Sequence, residues 1–157
     1  MSASAQSAVR LGVLADAPAI GRLLHDFNSE FGDFTPGAEW LTERVRRLLG
    51  EKQITVLLIG AGPNGLALLR FRPALWSAAL ECYLAELYVV PDRRRRGYGR
   101  ALMQGAIELA RDRGADHMDL GTGESDLAAR ALYESLGFDN HEGKPDGALN
   151  YFYEREL

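Results

Sequence analysis

The sequence has little cysteine and histidine, and it has no long apolar run. Its single cysteine, Cys82, cannot form an intramolecular disulfide or a cysteine-based zinc cluster, so we interpret it as a small core residue. The three histidines show no H-x-x-x-H pairing, and no metal site is predicted. Charged residues interrupt every apolar stretch before the roughly 20 residues that a membrane-spanning helix needs. We therefore expect a protein that uses neither a metal ion nor a membrane span.

An excess of basic residues is also missing. The chain has 18 Lys and Arg against 22 Asp and Glu, which gives a formal net charge of −4. A general nucleic-acid-binding protein would be basic, so nucleic acid is not expected as a partner. Residues 1–7 contain no basic segment that leads into an apolar one, and we expect a frayed tail there, not a signal peptide. These features predict a cytoplasmic protein.

The length of 157 residues fits one domain, which we place at residues 8–157. Apolar residues at helical spacing alternate with β-branched runs in the order β-α-α-β-β-β-α-β-α-β-β, which is typical of one α/β domain with a mixed sheet. Asp16 is the predicted N-cap of the first helix, and Thr35 and Pro36 are predicted to open the second. Strands are predicted over 9–14, 54–59, 66–72, 81–90 and 117–120, with two closing strands over 138–141 and 149–153; helices are predicted over 17–31, 35–50, 99–113 and 127–136.

The most informative stretch joins the end of a strand to the start of a helix. Five arginines, at positions 93–96 and 100, surround Gly97 and Gly99. The first turn of a helix offers backbone N–H groups without intrahelical partners, and glycine lets a phosphate approach them closely. The alternative is a solvated basic turn. A dinucleotide-binding G-x-G-x-x-G turn is excluded because Leu102 takes the third glycine's place, and the P-loop pattern is absent.

This stretch resembles the GNAT superfamily of acyl-CoA-dependent N-acyltransferases. Arg94-x-x-Gly97-x-Gly99 matches the Q/R-x-x-G-x-G/A pyrophosphate loop of that family. The flanking Leu87-Tyr88-Val89 and the later Ala129-x-x-Leu132-Tyr133-Glu134-x-x-Gly137-Phe138 are also similar to it. The resemblance implies a single-domain GNAT-like fold, with a mixed, mostly antiparallel sheet that is splayed between its central strands and flanked by about four helices.

The resemblance also implies how acetyl-CoA binds. Amides of the 95–100 turn would hold the pyrophosphate, and strand residues 87–89 would pair with the pantetheine arm as an added β-strand. The N–H of Leu87 or Val89 would polarise the thioester carbonyl as an oxyanion donor. The implied cofactor-binding residues are Leu87, Tyr88, Val89, Arg94, Arg95, Arg96, Gly97, Tyr98, Gly99, Arg100, Asp126 and Tyr133. No metal is implied.

Two residues are implied to be catalytic. Tyr133 resembles the family tyrosine that gives a proton to the departing sulfur; the alternative is an aromatic that only fills the apolar stripe of its helix. Glu86 is the charged interruption of an apolar strand and could deprotonate the attacking amine, while the alternative is a structural carboxylate. Alternation would place Glu86 on the face of Leu84 and Tyr88. Glu81 is a second candidate for the base.

Two positions depart from the family pattern. Asp126 stands where relatives commonly carry Asn, so it cannot donate a hydrogen bond when ionised, and it could serve only as a helix cap. Arg95 stands where glycine is frequent; we expect it to add charge without harming the turn.

The expected acceptor is a small-molecule amine or a protein amine, and the fold is compatible with a homodimer. A non-catalytic acyl-CoA-binding or regulatory domain is the alternative to an enzyme. Acids and aromatics on the predicted loops and first helices suit a cationic amine, although acids on solvated loops are also ordinary. They are Glu30, Phe31, Asp33, Phe34, Trp40, Trp76, Asp139 and Glu142.

Overall fold

The computed structural model describes residues 8–157, and the predicted frayed tail at residues 1–7 lies outside them. Contacts within the chain define two compact units, one reaching to Leu120 and the other spanning Gly121–Leu157. The single domain at 8–157 remains a prediction.

The first unit is built on a five-stranded sheet in chain order. Its strands are β1 (Val9–Leu11), β2 (Thr55–Ile59), β3 (Gly65–Pro73), β4 (Leu80–Val89) and β5 (Ala115–Leu120). Neighbouring strands are antiparallel except β4 and β5, which are parallel. The predicted mixed and mostly antiparallel sheet is therefore confirmed.

Three α-helices cover the two faces of this sheet. They are α1 (Ala17–Phe31), α2 (Ala38–Gly50) and α3 (Tyr98–Asp112), and short 3₁₀-helices occupy Leu14–Asp16 and Pro91–Arg93. One core joins α1 and α2 to the face that carries Leu66, Leu68 and Tyr88. The helix α3 contacts the strands on the other face, where Gly105 lies against Val9 and Leu57.

A β-bulge in β4 separates two ways of pairing. Leu69 pairs with Leu84, but Leu68 pairs with Glu86, so Ala85 is the extra residue. The pairing of β4 with β5 ends at Leu84, opposite Leu120. Ala85–Val89 therefore have β3 on one side and no strand of residues 8–157 on the other. This opening is the predicted splay.

The bulge also corrects the predicted orientation of Glu86. Partners across two strands lie on the same face of a sheet, whereas successive residues of one strand lie on opposite faces. Glu86, opposite Leu68, and Leu84, opposite Leu69, therefore lie on opposite faces. The expectation that they share a face was wrong, because the extra residue reverses the alternation. Glu86 does share the face of Tyr88.

The second unit contains α4 (Leu127–Ser135) and an irregular C-terminal segment. The predicted closing strands at 138–141 and 149–153 are wrong: one isolated bridge joins His141 to Leu149. Flanking it, the Glu142 N–H donates to the Ala148 carbonyl at 2.7 Å and the Asn150 N–H to the Asn140 carbonyl at 2.7 Å. The apolar residues suited a strand, but the backbone pairing is limited to this short ladder.

Local hydrogen bonds explain two further differences in the first unit. Asp16 occupies the predicted N-cap position of α1, but its carboxylate makes no capping bond to the helix. The carboxylate instead accepts from Arg10 at 2.9 Å and from the Val13 N–H at 2.8 Å. The helix α2 begins at Ala38 because Thr35 forms a turn, in which its Oγ1 accepts from the Gly37 N–H at 3.2 Å. Side-chain acceptors of this kind compete with the regular helical hydrogen bonds near a helix start.

Candidate functional site

The turn between β4 and α3 has a tightly wound backbone. It passes through the 3₁₀-helix Pro91–Arg93 and then takes left-handed conformations at Arg95 (φ 62°) and Gly97 (φ 81°). Gly97 is the N-cap of α3, and its carbonyl accepts the Ala101 N–H at 2.9 Å. The helix therefore starts directly at the turn, with the positive end of its dipole there.

The same turn offers space and positive charge to an anion. A Cβ added at Gly97 would meet no atom within 4 Å. The side chains of Arg95 and Arg96 are exposed. Open space, a helix N-terminus and guanidinium groups together fit a phosphoanhydride. The turn thus combines the space, the backbone donors and the positive charge that an anion site requires.

Arg95 departs from the expectation that it leaves the turn unharmed. Its φ of 62° lies in the left-handed region, which costs a residue with a Cβ roughly 1–2 kcal/mol. Glycine would occupy this conformation without that cost. Arginine at position 95 therefore adds a positive charge to the turn but strains its backbone, which glycine would not do.

Arg94 lies at the start of the turn, but its side chain turns back toward β4. Its Nε donates to the Val89 carbonyl at 2.9 Å, and its Nη2 donates to Glu30 Oε1 at 2.7 Å. The Tyr88 hydroxyl donates to the same Glu30 oxygen at 3.0 Å. Burial and Glu30 raise the pKa of Tyr88 to about 12, so this hydroxyl keeps its proton. The role of Arg94 in cofactor binding remains a prediction.

The open edge of β4 presents backbone groups in a fixed pattern. The Val90 N–H donates to the Asn64 carbonyl at 2.9 Å, so Val90 points toward β3. Because an antiparallel strand alternates, the backbone groups of Leu87 and Val89 point to the other side, which is open. The Val89 carbonyl there is already bonded to Arg94. Both N–H groups that the family resemblance implies as oxyanion donors therefore lie on the open edge.

Glu86 is half-buried on the face that α1 and α2 cover. Burial raises the pKa of its carboxyl above the ordinary value, and the nearby Arg70 opposes this shift. The other candidate base, Glu81, is bound to Arg72, with 2.6 Å between Oε2 and Nε. Glu86 has no ion pair among the described residues. A carboxylate with a raised pKa and no salt bridge is the better placed of the two to accept a proton.

Glu86→Gln is expected to stabilise the folded protein at pH 7 by on the order of 1 kcal/mol, the scale on which buried polar groups act. The pKa of Glu86 is higher in the folded state than in the unfolded state, so at a pH between these two values the folded state binds more protons. The free energy of unfolding therefore falls as the pH rises from the unfolded-state pKa through the folded-state pKa. Chemical denaturation between pH 4 and pH 8 measures this, with the exposed Glu108→Gln as control. A loss of stability at pH 7 in the Glu86 variant alone would contradict it.

Tyr133 and Asp126 lie in the second unit, on α4 and at its N-terminus. The Asp126 side chain accepts the Ala129 N–H at 3.2 Å, so its function as a helix cap is confirmed. Burial, with a smaller effect from Asp126, raises the pKa of Tyr133 to about 12. The Tyr133 ring lies edge-on to Phe138, with 6.1 Å between the centroids. Tyr133 is therefore a neutral hydroxyl donor throughout the ordinary pH range.

Several side chains that were predicted to face the acceptor are exposed. Phe34 and Trp76 are 83% and 94% exposed, and Phe31 and Trp40 are also exposed. Glu30 differs from them because Tyr88 and Arg94 both bind its carboxylate. The pairing of Glu30 with Arg94 joins residues 64 positions apart, and no local sequence pattern indicates it.

Residues 8–157 contain neither a helix suited to cross a membrane nor a group of side chains suited to hold a metal ion. No helix in this range is both long and apolar enough to cross a membrane. In the same part of the chain, no three His, Cys, Asp or Glu side chains are grouped to hold a metal ion.

Known proteins share both the sequence pattern and the fold. A model of the acetyltransferase (GNAT) family matches residues 22–138. A protein from Arthrobacter sp. FB24, named as an acetyltransferase, has a crystal structure that covers 100% of this chain and 99% of its own, with 40% identity and a TM-score of 0.89.

Curated relatives vary in length. The uncharacterized N-acetyltransferase YhfO of Bacillus subtilis is 29% identical over 90% of this chain and 96% of its own. Human N-acetyltransferase 8 is 31% identical over 63% of this chain. This chain spans only 37% of the human protein's length, and 23% and 31% of the lengths of two further relatives. The match to the family model and the full-length structural similarity establish that the chain belongs to the GNAT acetyltransferase family.

Proposed function

We propose that this protein is an N-acetyltransferase that moves the acetyl group of acetyl-CoA to a primary amine by direct attack. The observation that carries the proposal is the continuity of two features. The open edge of β4 at Ala85–Val89 leads within a few residues to the turn at Gly97 and the N-terminus of α3. An extended arm that ends in a pyrophosphate can occupy both at once.

The chain's own groups would hold acetyl-CoA at two places. Exposed Arg95 and Arg96, with the backbone beside Gly97 and Gly99, would bind the pyrophosphate. The outward groups of Leu87 and the N–H of Val89 would pair with the pantetheine amides as a neighbouring strand does. One of these two N–H groups would also donate to the thioester carbonyl, where negative charge develops during attack.

The reaction needs a base for the amine and an acid for the sulfur. An alkylammonium loses a proton, its nitrogen forms a bond to the acetyl carbon, and the carbon–sulfur bond breaks. We assign proton removal to Glu86 because its carboxyl has a raised pKa and no ion pair among the described residues. We assign the proton that the thiolate receives to Tyr133, on the basis of its position in the family motif.

We propose a cationic acceptor, either a small-molecule amine or a protein amine. Three exposed aromatic side chains lie in this region: Phe31 on α1, Phe34 on the connection to α2, and Trp40 on α2. Such rings attract a cation through their faces. Acidic Asp33 and Glu39 lie in the same stretch and would add to the attraction.

An assay of thiol release from acetyl-CoA tests this function. The expected result is release that depends on at least one amine in a panel of polyamines, aminoglycosides, amino acids and lysine-containing peptides, with the acetylated amine identified by mass spectrometry. Coenzyme A binding without release for any amine would favour the non-catalytic acyl-CoA-binding domain.

A further inference from the structure

We propose that Glu30 and Arg94 are positioning residues that hold the cofactor-binding turn in its binding conformation. The ion pair fastens the first residue of the Arg94–Gly99 motif to the end of α1, and Tyr88 completes it. This inference rests on the proposed function, because it assigns a task within the same cofactor site.

Three contacts fix the position of Arg94. Its Nη2 lies 2.7 Å from Glu30 Oε1, its Nε lies 2.9 Å from the Val89 carbonyl oxygen, and its guanidinium carbon lies 5.6 Å from the centroid of the Tyr88 ring. Tyr88 is held in turn by its hydrogen bond to Glu30 and by stacking on Phe27, with 4.9 Å between the centroids. Arg94 is thus held from the helix, from the strand and from an aromatic face.

The ion pair is partly shielded from solvent. The Glu30 and Arg94 side chains are 27% and 38% exposed. Arg94 and Tyr88 lower the pKa of the Glu30 carboxyl, so it is ionised at neutral pH and the pair carries both charges. Charge-assisted hydrogen bonds of this kind are stronger than neutral ones.

The turn needs such support because the residue after Arg94 is strained. Arg95 adopts a φ of 62°, which a residue with a Cβ seldom occupies. A strained conformation persists only where the surrounding structure over-determines it. Arg94 precedes Arg95 directly, and its side chain is held by Glu30 and the Val89 carbonyl. With Arg94 fixed in place, the backbone must pass through Arg95 in its left-handed conformation to reach Gly97.

The contacts of Arg94 also separate positioning from direct phosphate binding. A phosphate that used the Nε and Nη2 of Arg94 would have to displace the Val89 carbonyl and Glu30. In that case, removing Glu30 would free Arg94 and tighten coenzyme A binding. If Arg94 positions the turn, removing Glu30 weakens binding. The two roles therefore predict effects of opposite sign.

The experiment compares Glu30→Ala with Glu108→Ala, which removes an exposed glutamate from α3. Two quantities are measured on the full chain: the Kd for coenzyme A by calorimetry, and the hydrogen exchange of the amides at residues 95–99 without ligand. We expect Glu30→Ala to raise Kd about fivefold, a moderate effect because the pair is partly exposed, and to speed exchange at the turn. Glu108→Ala should change neither quantity.

Two further variants test the coupling. Arg94→Gln should raise Kd and speed exchange as Glu30→Ala does, and the double variant should be no worse than the weaker-binding single variant, because both remove one interaction. Tyr88→Phe keeps the ring and removes one hydrogen bond, so it should give a smaller effect in the same direction, and it replaces Glu30→Ala if that variant fails to fold.

Each outcome decides the proposal. Unchanged exchange at residues 95–99, or tighter coenzyme A binding by Glu30→Ala, would overturn the positioning role. If the wild-type protein binds coenzyme A but acetylates no amine, the proposed activity fails while the positioning role is still decided by Kd and exchange. If the wild-type protein does not bind coenzyme A, both proposals are overturned.

Discussion

Replacing Gly97 with valine is expected to weaken coenzyme A binding more than about 100-fold, because a side chain there fills the space through which the pyrophosphate reaches the backbone. A Cβ at this position meets no protein atom within 4 Å, so it would project into open space and not into the core. The left-handed φ of 81° adds backbone strain of about 1–2 kcal/mol. Calorimetry with coenzyme A measures the loss of binding.

Gly114→Val is the matched control for this prediction. Gly114 has a φ of 85°, and a Cβ there also meets nothing within 4 Å, but it lies after the other end of α3. Both variants should lose similar stability in thermal unfolding, whereas only Gly97→Val should lose coenzyme A. Equal Kd values for the two variants would show that the pyrophosphate binds elsewhere.

Tyr133→Phe is expected to lower kcat about 100-fold, the lower end of what a positioned general acid contributes, while the Kd for coenzyme A changes by less than about twofold. The substitution keeps the ring that lies edge-on to Phe138 and removes only the hydroxyl. The pKa of Tyr133 is about 12, so the hydroxyl carries its proton throughout the working range. Ionisation of this hydroxyl should therefore not lower the wild-type kcat at any pH below about 11.

Tyr151→Phe provides the control for the loss of a phenol. Tyr151 belongs to the same unit and is 74% exposed. Its replacement should leave kcat unchanged within about twofold, as is usual for an exposed side chain. A normal kcat in Tyr133→Phe would remove the acid role and leave Tyr133 as an aromatic of the α4 stripe.

Local sequence patterns were sufficient to predict most of the first unit. The apolar spacing of Ile20, Leu23 and Phe27 predicted α1, and the β-branched run up to Ile59 predicted β2, because burial on one face imposes these periods. The bulge at Ala85 could not be predicted, since nothing in the residues nearby distinguishes it from regular alternation. That single residue determines which face Glu86 occupies.

The site was predictable where it depends on neighbouring residues and unpredictable where it depends on distant ones. Gly97, Gly99 and the arginines around them lie in one short segment between a strand and a helix, so the local sequence favoured an anion site there. The contact of Arg94 with Glu30 depends on how α1 lies against the end of β4, which no single segment encodes. The predicted closing strands were wrong for a similar reason. Apolar residues such as Leu149 and Tyr151 form a strand only when another segment pairs with them, and here the pairing is limited to one bridge between His141 and Leu149.

A crystal structure of the protein with acetyl-CoA tests most directly whether the turn after β4 binds the pyrophosphate. We predict phosphate oxygens within hydrogen-bonding distance of backbone amides at residues 95–100, the pantetheine arm along Leu87 and Val89, and Arg94 still bonded to Glu30. A nucleotide that lies elsewhere, with the space beside Gly97 empty, would contradict the proposed cofactor site.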